Sequence, residues 1–373
     1  MKIAQGCHWH HTKMRDFEED WGWLNRWAQL EHPAVTANLV LRADATPRIG
    51  TGHAMRCLAL AQAAQDMGFT IQFVGRIHVP WVRERLRAEP FSLLELPDAV
   101  PYEENSENLL HQLAQSGTAP SDTWVVLDGY HFTLACQQAV RDAGYRLLVI
   151  DDYAHLPRYS CDILLNQNLG AETLSYTGDI GQKLLGPNYV LLRREFRSAR
   201  ERLLHITRNI PPQNILVTLG GGDFIDYLEG IAQHMNTPAL EECTVRVIQG
   251  AMETDRIRQA FANCPAQLEV LPRVADMPAL LLSTDLCITA GGSTCWELCC
   301  LGSPFLIVET AKNQCRVVKG LLQYGLTRLF SPNSLKTALM WQGMGQKSVI
   351  VGLQLVDGDG AHHVLRYLYS DPY

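Results

Sequence analysis

Residues 39–67 read LVLRADATPRIGTGHAMRCLALAQAAQDM, and this stretch decides the fold of the N-terminal half. The apolar run 39–41 predicts a buried strand, and residues 54–67 have the apolar spacing of a helix. A polar loop with Gly50 and Gly52 joins the two. A strand that passes through a glycine loop into a helix is typical of a parallel sheet covered by helices. The stretch therefore indicates an α/β fold.

The same alternation of apolar strands and helices continues to about residue 308. Further strands are predicted at residues 70–74, 123–127, 146–150, 163–165, 215–219, 245–248, 268–271, 286–289 and 305–308. A charged stretch, 197–209, followed by Pro211 and Pro212, divides them into two series and predicts a hinge. We expect two doubly wound parallel-sheet (Rossmann-like) domains facing across a cleft. Their predicted ranges are 38–208 and 209–373, after a loosely ordered extension, 1–37.

Length and charge limit the functional classes. A chain of 373 residues with 47% hydrophobic content suits two globular cores. A net charge of -7 offers no basic surface for nucleic acid. No uncharged apolar run reaches about 18 residues and no signal peptide is recognisable, so we expect no membrane partner and a cytoplasmic location.

Cysteine and histidine spacing does not predict a metal site. The 11 cysteines are irregularly spaced in apolar stretches, as expected of buried free thiols. Cys295, Cys299 and Cys300 lack the C-x-x-C spacing of zinc sites and are interpreted as helix core. Metal-chelating side chains also occur at Cys7, His8, His10 and His11. They lie in the N-terminal extension, which has no apolar periodicity.

His53 is the candidate catalytic side chain of the first half. It stands where a strand passes into a helix, and ligands of parallel sheets bind at the carboxyl ends of strands. Gly50 and Gly52 allow a ligand to approach the backbone closely. A helix N-terminus disfavours protonated histidine, so His53 suits a general base. The alternative is a helix-capping histidine with local backbone bonds.

The same loop does not match a dinucleotide-binding fingerprint. Met55 stands where a third glycine belongs, and no acidic residue clearly ends the second strand. An NAD enzyme is therefore disfavoured, and no cofactor is predicted.

A glycine turn in the second half is the candidate nucleotide site. Gly291, Gly292, Ser293 and Thr294 follow a predicted strand and open a helix, so their backbone N–H groups and hydroxyls suit a diphosphate. Glu297, about one turn into that helix, suits the ribose hydroxyls. A capping box between Thr294 and Glu297 is the alternative explanation of the glutamate.

Other strand ends offer weaker candidates. Gly220 and Gly221 end the first strand of the second half, where they form either part of the nucleotide site or only a tight turn. The amide of Gln314 suits an acetamido group or a sugar hydroxyl, although polar loops are commonly just solvated. Strands of the first half end in the same way at Asp128-Gly-Tyr130, Asp151-Asp152 and Asn166-Gln-Asn168, each of which is a weak signal by itself.

Taken together, these residues resemble a known enzyme family from about residue 38 to 330. The motifs that carry the resemblance are Arg42-Ala-Asp-Ala, Gly50-Thr-Gly-His53, Arg56-Cys-Leu-Ala-Leu, Cys161-Asp-Ile-Leu-Leu-Asn-Gln-Asn168, Gly186-Pro-Asn-Tyr-Val-Leu-Leu-Arg-Arg-Glu-Phe196 and Lys312-Asn-Gln314. They look like those of the hydrolases that act on UDP-2,4-diacetamido-2,4,6-trideoxy-β-L-altropyranose in pseudaminic acid synthesis. That family belongs to the two-domain glycosyltransferase B (GT-B) superfamily. It is related to the enzyme that adds N-acetylglucosamine during peptidoglycan assembly.

The resemblance implies an inverting, metal-independent hydrolysis that releases UDP. It gives His53 the role of proton acceptor, Asn313 that of its polar partner across the cleft, and Glu297 that of the nucleotide carboxylate. Arg193 becomes a substrate or diphosphate contact, and Asp44 of the first motif a substrate contact. The second-half turn departs from the family, since it reads Gly-Gly-Gly-Asp-Phe from residue 220 where Gly-Gly-x-Asp precedes a small or polar residue.

The expected partners are a UDP-sugar substrate and other pathway enzymes. Two alternatives remain open from the sequence. One is a UDP-sugar glycosyltransferase that uses the same nucleotide site, and the other is a nucleotide-sugar binding module without catalysis.

Overall fold

The computed structural model of the chain describes residues 37–97, 105–115, 117–203, 208–209, 211–272, 274–311, 314–340 and 345–369. The predicted N-terminal extension therefore lies outside the described residues, apart from its last position. Within them, the strands form two separate sheets, one in each half of the chain.

The first sheet has seven parallel strands in the order β3-β2-β1-β4-β5-β6-β7. Its strands are β1 (Asn38–Ala43), β2 (Thr70–Gly75), β3 (Ser92–Glu95), β4 (Thr123–Asp128), β5 (Arg146–Ile150), β6 (Tyr159–Asn166) and β7 (Gly178–Leu185). The strand order reverses between β1 and β4, which pair in register from Asn38 opposite Thr123 to Ala43 opposite Asp128. Such a reversal opens a crevice at the carboxyl ends of the two strands, where ligands bind in open α/β sheets.

The second sheet has six parallel strands in the order β10-β9-β8-β11-β12-β13. Its strands are β8 (Asn214–Thr218), β9 (Thr244–Ile248), β10 (Gln267–Leu271), β11 (Leu286–Ala290), β12 (Phe305–Val308) and β13 (Arg328–Leu329). Here the order reverses between β8 and β11, so the loops that begin at Leu219 and Gly291 lie at the second crevice.

Helices connect the strands and cover both faces of each sheet. In the first half they are α1 (Gly52–Asp66), α2 (Pro80–Arg87), α3 (Ser106–Ala114) and α4 (Leu134–Asp142), followed by α5 (Arg194–Arg200). In the second half they are α6 (Ile225–His234), α7 (Thr254–Ala260), α8 (Met277–Leu282), α9 (Thr294–Cys300), α10 (Cys315–Gln323), α11 (Pro332–Leu339), α12 (Gly345–Leu355) and α13 (Gly360–Tyr369).

The buried apolar side chains form two cores on each sheet, one per face. In the first half, β1 shows how: Leu39 and Leu41 face the core under α1, while Val40 faces the core under α3 and α4. All three are fully buried. A strand buried on both faces is apolar at successive positions, which is why residues 39–41 form an unbroken apolar run.

The predicted fold class is confirmed: both halves are parallel α/β sheets of Rossmann type. Each predicted strand overlaps an observed one, but β3, β7 and β13 were not predicted. β7 is largely exposed, and five of its first six residues are glycine or polar, Ile180 being the exception. β13 has only two residues, both exposed.

The last helix of the chain packs on the first half. Ala361, Val364, Leu365 and Leu368 of α13 belong to the core beneath α1. The indole Nε1 of Trp124 donates a hydrogen bond of 3.0 Å to the carbonyl of Leu368. The predicted division at 208/209 thus places in the second half a helix whose apolar face is buried in the first.

Ten cysteines among the described residues are free thiols, and eight of them are buried. In the part of the chain that the structure describes, no helix is long and apolar enough to cross a membrane.

Candidate active site

His53 lies in the first turn of α1, at the crevice of the first sheet. The preceding loop makes a tight turn in which the Gly50 amide donates to the carbonyl of Thr46 at 2.8 Å. Gly50 has a φ of 83°, a left-handed conformation that glycine adopts without strain. A side chain on Gly52 would meet nothing within 4 Å, so this loop is open to a ligand.

The imidazole of His53 is held by Asp128, the last residue of β4. His53 Nδ1 lies 2.6 Å from Asp128 Oδ1, and the carboxylate is fully buried. The interpretation of His53 as a helix cap with local backbone bonds is therefore wrong. An ionised carboxylate only accepts hydrogen bonds, so Nδ1 carries the proton and the lone pair of neutral His53 is on Nε2. Within the described chain, Nε2 has no hydrogen-bond partner.

Arg56 joins Asp128 to a second carboxylate, Asp152. Its Nε and Nη2 each donate to Asp128 at 2.6 Å, while Nη1 and Nη2 donate to Asp152 at 2.8 and 3.0 Å. Burial alone would lower the pKa of the guanidinium, but the two carboxylates raise that pKa well above its ordinary value. Burial raises the pKa of Asp128, yet Arg56 and then His53 outweigh it and keep this pKa below its usual range. Both partners of Arg56 therefore stay ionised near neutral pH.

Tyr130 and Asn168 complete the wall around Asp152. The Tyr130 hydroxyl donates to Asp152 Oδ2 at 2.7 Å, and Asn168 Nδ2 donates to Oδ1 at 2.8 Å. The Tyr130 ring also packs edge-on against His53, with 5.1 Å between centroids. Burial and the charge of Asp152 raise the pKa of Tyr130, so its hydroxyl remains a donor. The structure thus brings these two predicted substrate contacts together beside His53.

Asp44 lies deeper than the other predicted contacts, with a fully buried carboxylate. Arg42 donates to it, and so does the backbone amide of Arg76 at 2.8 Å. Burial raises the pKa of Asp44, but Arg42, the Arg76 amide and His131 together lower it below its ordinary value. In this arrangement Asp44 holds the ends of β1 and β2 together, and its role as a substrate contact stays a prediction.

The glycine turn after β8 faces the His53 loop. A side chain on Gly221 would come within 3.8 Å of Thr51, the residue before α1. Gly220 has a φ of 101°, and Gly250 closes over the turn so tightly that a Cβ there would lie 2.7 Å from the Gly220 carbonyl. The carboxyl ends of both sheets therefore meet across a cleft at this point.

The turn after β11 is held by Gln314. Its Oε1 accepts hydrogen bonds from the Gly291 amide at 3.2 Å and from the amide and hydroxyl of Thr310 at 3.2 and 3.0 Å. Gln314 thereby joins the ends of β11 and β12, and its amide nitrogen is the group left for a ligand. A Cβ on Gly292 would meet nothing within 4 Å, so that part of the turn is open.

Glu297 contacts an arginine instead of capping its helix. α9 begins at Thr294 with Ser293 as N-cap and without a side-chain cap, so the alternative explanation of Glu297 by a capping box is wrong. Glu297 Oε1 accepts from Arg193 Nη2 at 2.9 Å, and both side chains are mostly buried. Burial raises the pKa of Glu297, and Arg193 only partly offsets that. The structure pairs two residues for which the sequence predicted separate ligand contacts.

Asn313 lies outside the described residues, as does Lys312. Among the residues that are described, no group of three or more His, Cys, Asp or Glu side chains is arranged to hold a metal ion. Asp128 and Asp152 were only weak strand-end candidates without an assigned role, and Arg56 entered only within a motif of the resemblance. The available signals were their positions, one helical turn after His53 and at the ends of β4 and β5.

No protein-family model matches the chain. It is 20% identical to an uncharacterized protein of Methanocaldococcus jannaschii over 286 residues, which are 72% of the chain and 55% of that protein. It is 27% identical to the spore coat polysaccharide biosynthesis protein SpsG of Bacillus subtilis over 143 residues, 38% of the chain and 41% of SpsG. The chain thus spans about half the length of the curated relatives it matches.

Solved structures with the same architecture cover nearly the whole chain. MurG of Acinetobacter baumannii matches with a TM-score of 0.60 and 17% identity, over 89% of this chain and 99% of its own. The UDP-GlcNAc 2-epimerase of Neisseria meningitidis, bound to UDP-GlcNAc, matches with a TM-score of 0.57 and 10% identity, over 90% and 100%. The chain therefore has the GT-B fold, with two Rossmann-like halves whose strand ends face one another.

Proposed function

We propose that the protein is an inverting UDP-sugar hydrolase in which His53 is the general base. The observation that carries this proposal is the bond between His53 Nδ1 and the buried carboxylate of Asp128 at 2.6 Å. A carboxylate that fixes the proton on Nδ1 directs the Nε2 lone pair to the substrate side, as a base requires. The site lies at the crevice of the first sheet, opposite the glycine turn of the second.

In the proposed step, a water molecule attacks the anomeric carbon and gives one proton to His53 Nε2. The new bond forms between this carbon and the water oxygen, and the bond from the carbon to the diphosphate oxygen breaks. UDP leaves as a stable anion, so the step does not need the second carboxylic acid with which glycosidases protonate their leaving group. Attack opposite the departing diphosphate inverts the anomeric configuration.

The second half is proposed to hold the nucleotide. Gly220, Gly221 and Gly292 give a diphosphate access to backbone N–H groups at the second crevice, and the hydroxyls of Ser293 and Thr294 add donors. Glu297 accepts hydrogen bonds from the ribose hydroxyls, which replace its present hydrogen bond from Arg193. Support comes from the structural neighbour that carries UDP-GlcNAc in the same fold.

The proposed sugar is UDP-2,4-diacetamido-2,4,6-trideoxy-β-L-altropyranose, and its hydrolysis supplies pseudaminic acid synthesis. This choice rests on the ordered motifs from Arg42 to Gln314. The side-chain amides of Asn313 and Gln314 are proposed to form hydrogen bonds with the acetamido groups. The match to a spore coat polysaccharide biosynthesis protein supports an activated sugar as the substrate class.

The test is UDP release from this nucleotide sugar in the presence of EDTA, with native protein and His53→Ala. We expect release by the native protein and a rate lower by on the order of 10² to 10⁴ in the variant, because general bases contribute that much. The affinity for UDP should not change, since the proposed nucleotide site is on the opposite half. Equal turnover by the variant would remove His53 from the mechanism.

A glycosyltransferase is the second candidate, because a UDP-glucosyltransferase of Polygonum tinctorium has the same fold. An assay without any acceptor distinguishes the two activities. A hydrolase releases UDP from the sugar nucleotide and water alone, whereas a transferase needs the acceptor. Native protein that binds UDP yet leaves the candidate sugars intact, with and without acceptors, would identify a binding module instead.

A further inference from the structure

The two charged groups that grip His53 act on its ring in opposite directions. Asp128 accepts from Nδ1 and favours a positive ring. The guanidinium nitrogen Nη2 of Arg56 lies 3.3 Å from the same Nδ1, and its positive charge disfavours a positive ring. Nδ1 already donates to the carboxylate, so the arginine contact contributes charge repulsion rather than a hydrogen bond.

Arg56 cannot move away from this position. It is one helical turn after His53 on α1, only 8% of its side chain is exposed, and it makes four hydrogen bonds to two carboxylates. Asp152 is in turn held by Tyr130 and Asn168. The positive charge is therefore fixed beside the imidazole, in a place where water screens it poorly.

The charged and titratable groups around the ring come from three elements. They are Arg56 on α1, Asp128 and Tyr130 at the end of β4, and Asp152 after β5. Tyr130 is neutral near pH 7, so among the described residues one positive and two negative charges face the ring. Of these, only Arg56 opposes protonation of His53 in advance of the reaction.

We propose that Arg56, held by Asp152, is a positioning residue whose fixed positive charge opposes protonation of the His53 imidazole before the reaction, so that the ring can act as a base. The catalytic meaning of this inference rests on the proposed function, whereas the electrostatic part does not. Asp128 fixes the tautomer and stabilises the imidazolium once it forms. Arg56 counteracts the stabilisation that the same carboxylate would give to an imidazolium formed before the reaction.

The test follows the His53 ring by NMR across pH, in free full-length protein, so that it does not depend on turnover. Removing Arg56 alone would leave two buried carboxylates unpaired and risk unfolding. The variant is therefore Arg56→Gln combined with Asp152→Asn, which removes one charge of each sign. We expect the titration midpoint of the ring to rise by about one to two pH units, because the nearer charge is the positive one.

Asp152→Asn alone provides the opposite sign. In this variant Arg56 still pairs with Asp128, but it loses one of the two negative charges that neutralise it. The titration midpoint of the His53 ring should therefore fall. Arg56→Lys keeps the charge and should stay closer to the native midpoint than the double variant does. Arg246→Gln, which breaks a surface pair with Glu269 in the second half, is the matched control and should leave the midpoint unchanged.

The acidic limb of kcat/KM against pH should move with the ring midpoint in each variant. Circular dichroism shows which variants are folded, and Asp152→Asn decides the question if the double variant is not. Unchanged midpoints, or shifts of the same sign in both folded variants, would overturn the role of Arg56. A protein without hydrolase activity that still shows the opposed shifts would overturn the proposed function and leave the electrostatic inference intact.

Discussion

At the scale of single residues, the site is a small charge network with one side open to ligand. With His53 neutral, Arg56, Asp128 and Asp152 sum to one negative charge. When His53 takes a proton from water, the sum becomes zero, so proton transfer relieves an excess of buried negative charge. Because buried charges interact strongly, this change favours the transition state over the resting site.

Asp128→Asn tests whether the carboxylate fixes the histidine tautomer. An asparagine amide can donate to Nδ1 through its nitrogen, and the imidazole proton then moves to Nε2, where the base needs its lone pair. We expect the rate of UDP release to fall by roughly 10² to 10⁴ while UDP affinity stays near native. The rate is measured with saturating nucleotide sugar, and binding by calorimetry.

Asp66→Asn is the control for the same chemical change. Asp66 pairs with Arg194 on the surface, where removing an ion pair costs little. This variant should keep native turnover. A folded Asp128→Asn protein with native turnover would show that the hydrogen bond to His53 Nδ1 is not used in catalysis.

At the scale of elements, the glycine turns differ in what surrounds them. A Cβ on Gly291 would lie 2.7 Å from Val318 of α10 and 3.1 Å from Cβ of Gln314, whereas one on Gly292 would meet nothing within 4 Å. Val318 is buried, so it has little space to move. Gly291 therefore serves close packing of α10 on the turn, and Gly292 leaves the cleft free.

Gly291→Ala and Gly292→Ala form a matched pair for this difference. We expect Gly291→Ala to lower the free energy of unfolding by about 1 to 3 kcal/mol, because an added methyl group must displace a packed helix. Gly292→Ala should change it by less than about 0.5 kcal/mol, as is usual where no contact is made. Urea unfolding measures both. Similar losses in the two variants would contradict the packing argument.

The same scale shows what sequence patterns can and cannot predict. Apolar runs such as 39–41 predicted the central strands because both faces of those strands are buried. β7 was not predicted because it is an edge strand that pairs only with β6 and is largely exposed. Its sequence GDIGQKLL therefore has little apolar pattern. Thr294-x-x-Glu297 has the spacing of a capping box, but the N-cap of the helix lies one residue earlier, at Ser293, and the Glu297 carboxylate pairs with Arg193.

At the scale of the whole molecule, the site residues that form hydrogen bonds and ion pairs with one another are far apart in the chain. His53 and Asp128 are separated by 75 positions, and Arg56 and Asp152 by 96. The sequence predicted His53 from its loop because a glycine turn between a strand and a helix is a local signal. The strand ends marked Asp128 and Asp152 only weakly. Their pairing with His53 and Arg56 could not be predicted, since only the adjacent placement of β1, β4 and β5 in the sheet brings these residues together.

The two halves are also tied by the end of the chain. α12 packs on the second half, where Val349 and Leu353 approach Gly302, while α13 buries its apolar face in the first. Asp359, between the two helices, pairs with Arg197 of α5 at 2.8 Å. Gly360 begins α13 so close to the first half that a Cβ would lie 2.3 Å from the carbonyl oxygen of Val190 and 2.6 Å from its nitrogen.

Gly360→Ala should therefore loosen the attachment of α13. Both contacts are backbone atoms, which cannot rotate away, so we expect a loss of about 1 to 3 kcal/mol in the free energy of unfolding. The indole proton of Trp124, which bonds the Leu368 carbonyl, should exchange faster with solvent in this variant. Gly230→Ala in α6 is the control: its Cβ meets nothing within 4 Å, and alanine favours a helix by about 0.5 to 1 kcal/mol. If Gly360→Ala matched the native protein in both stability and indole exchange, α13 would not depend on this close approach, and its buried apolar face alone would hold it on the first half.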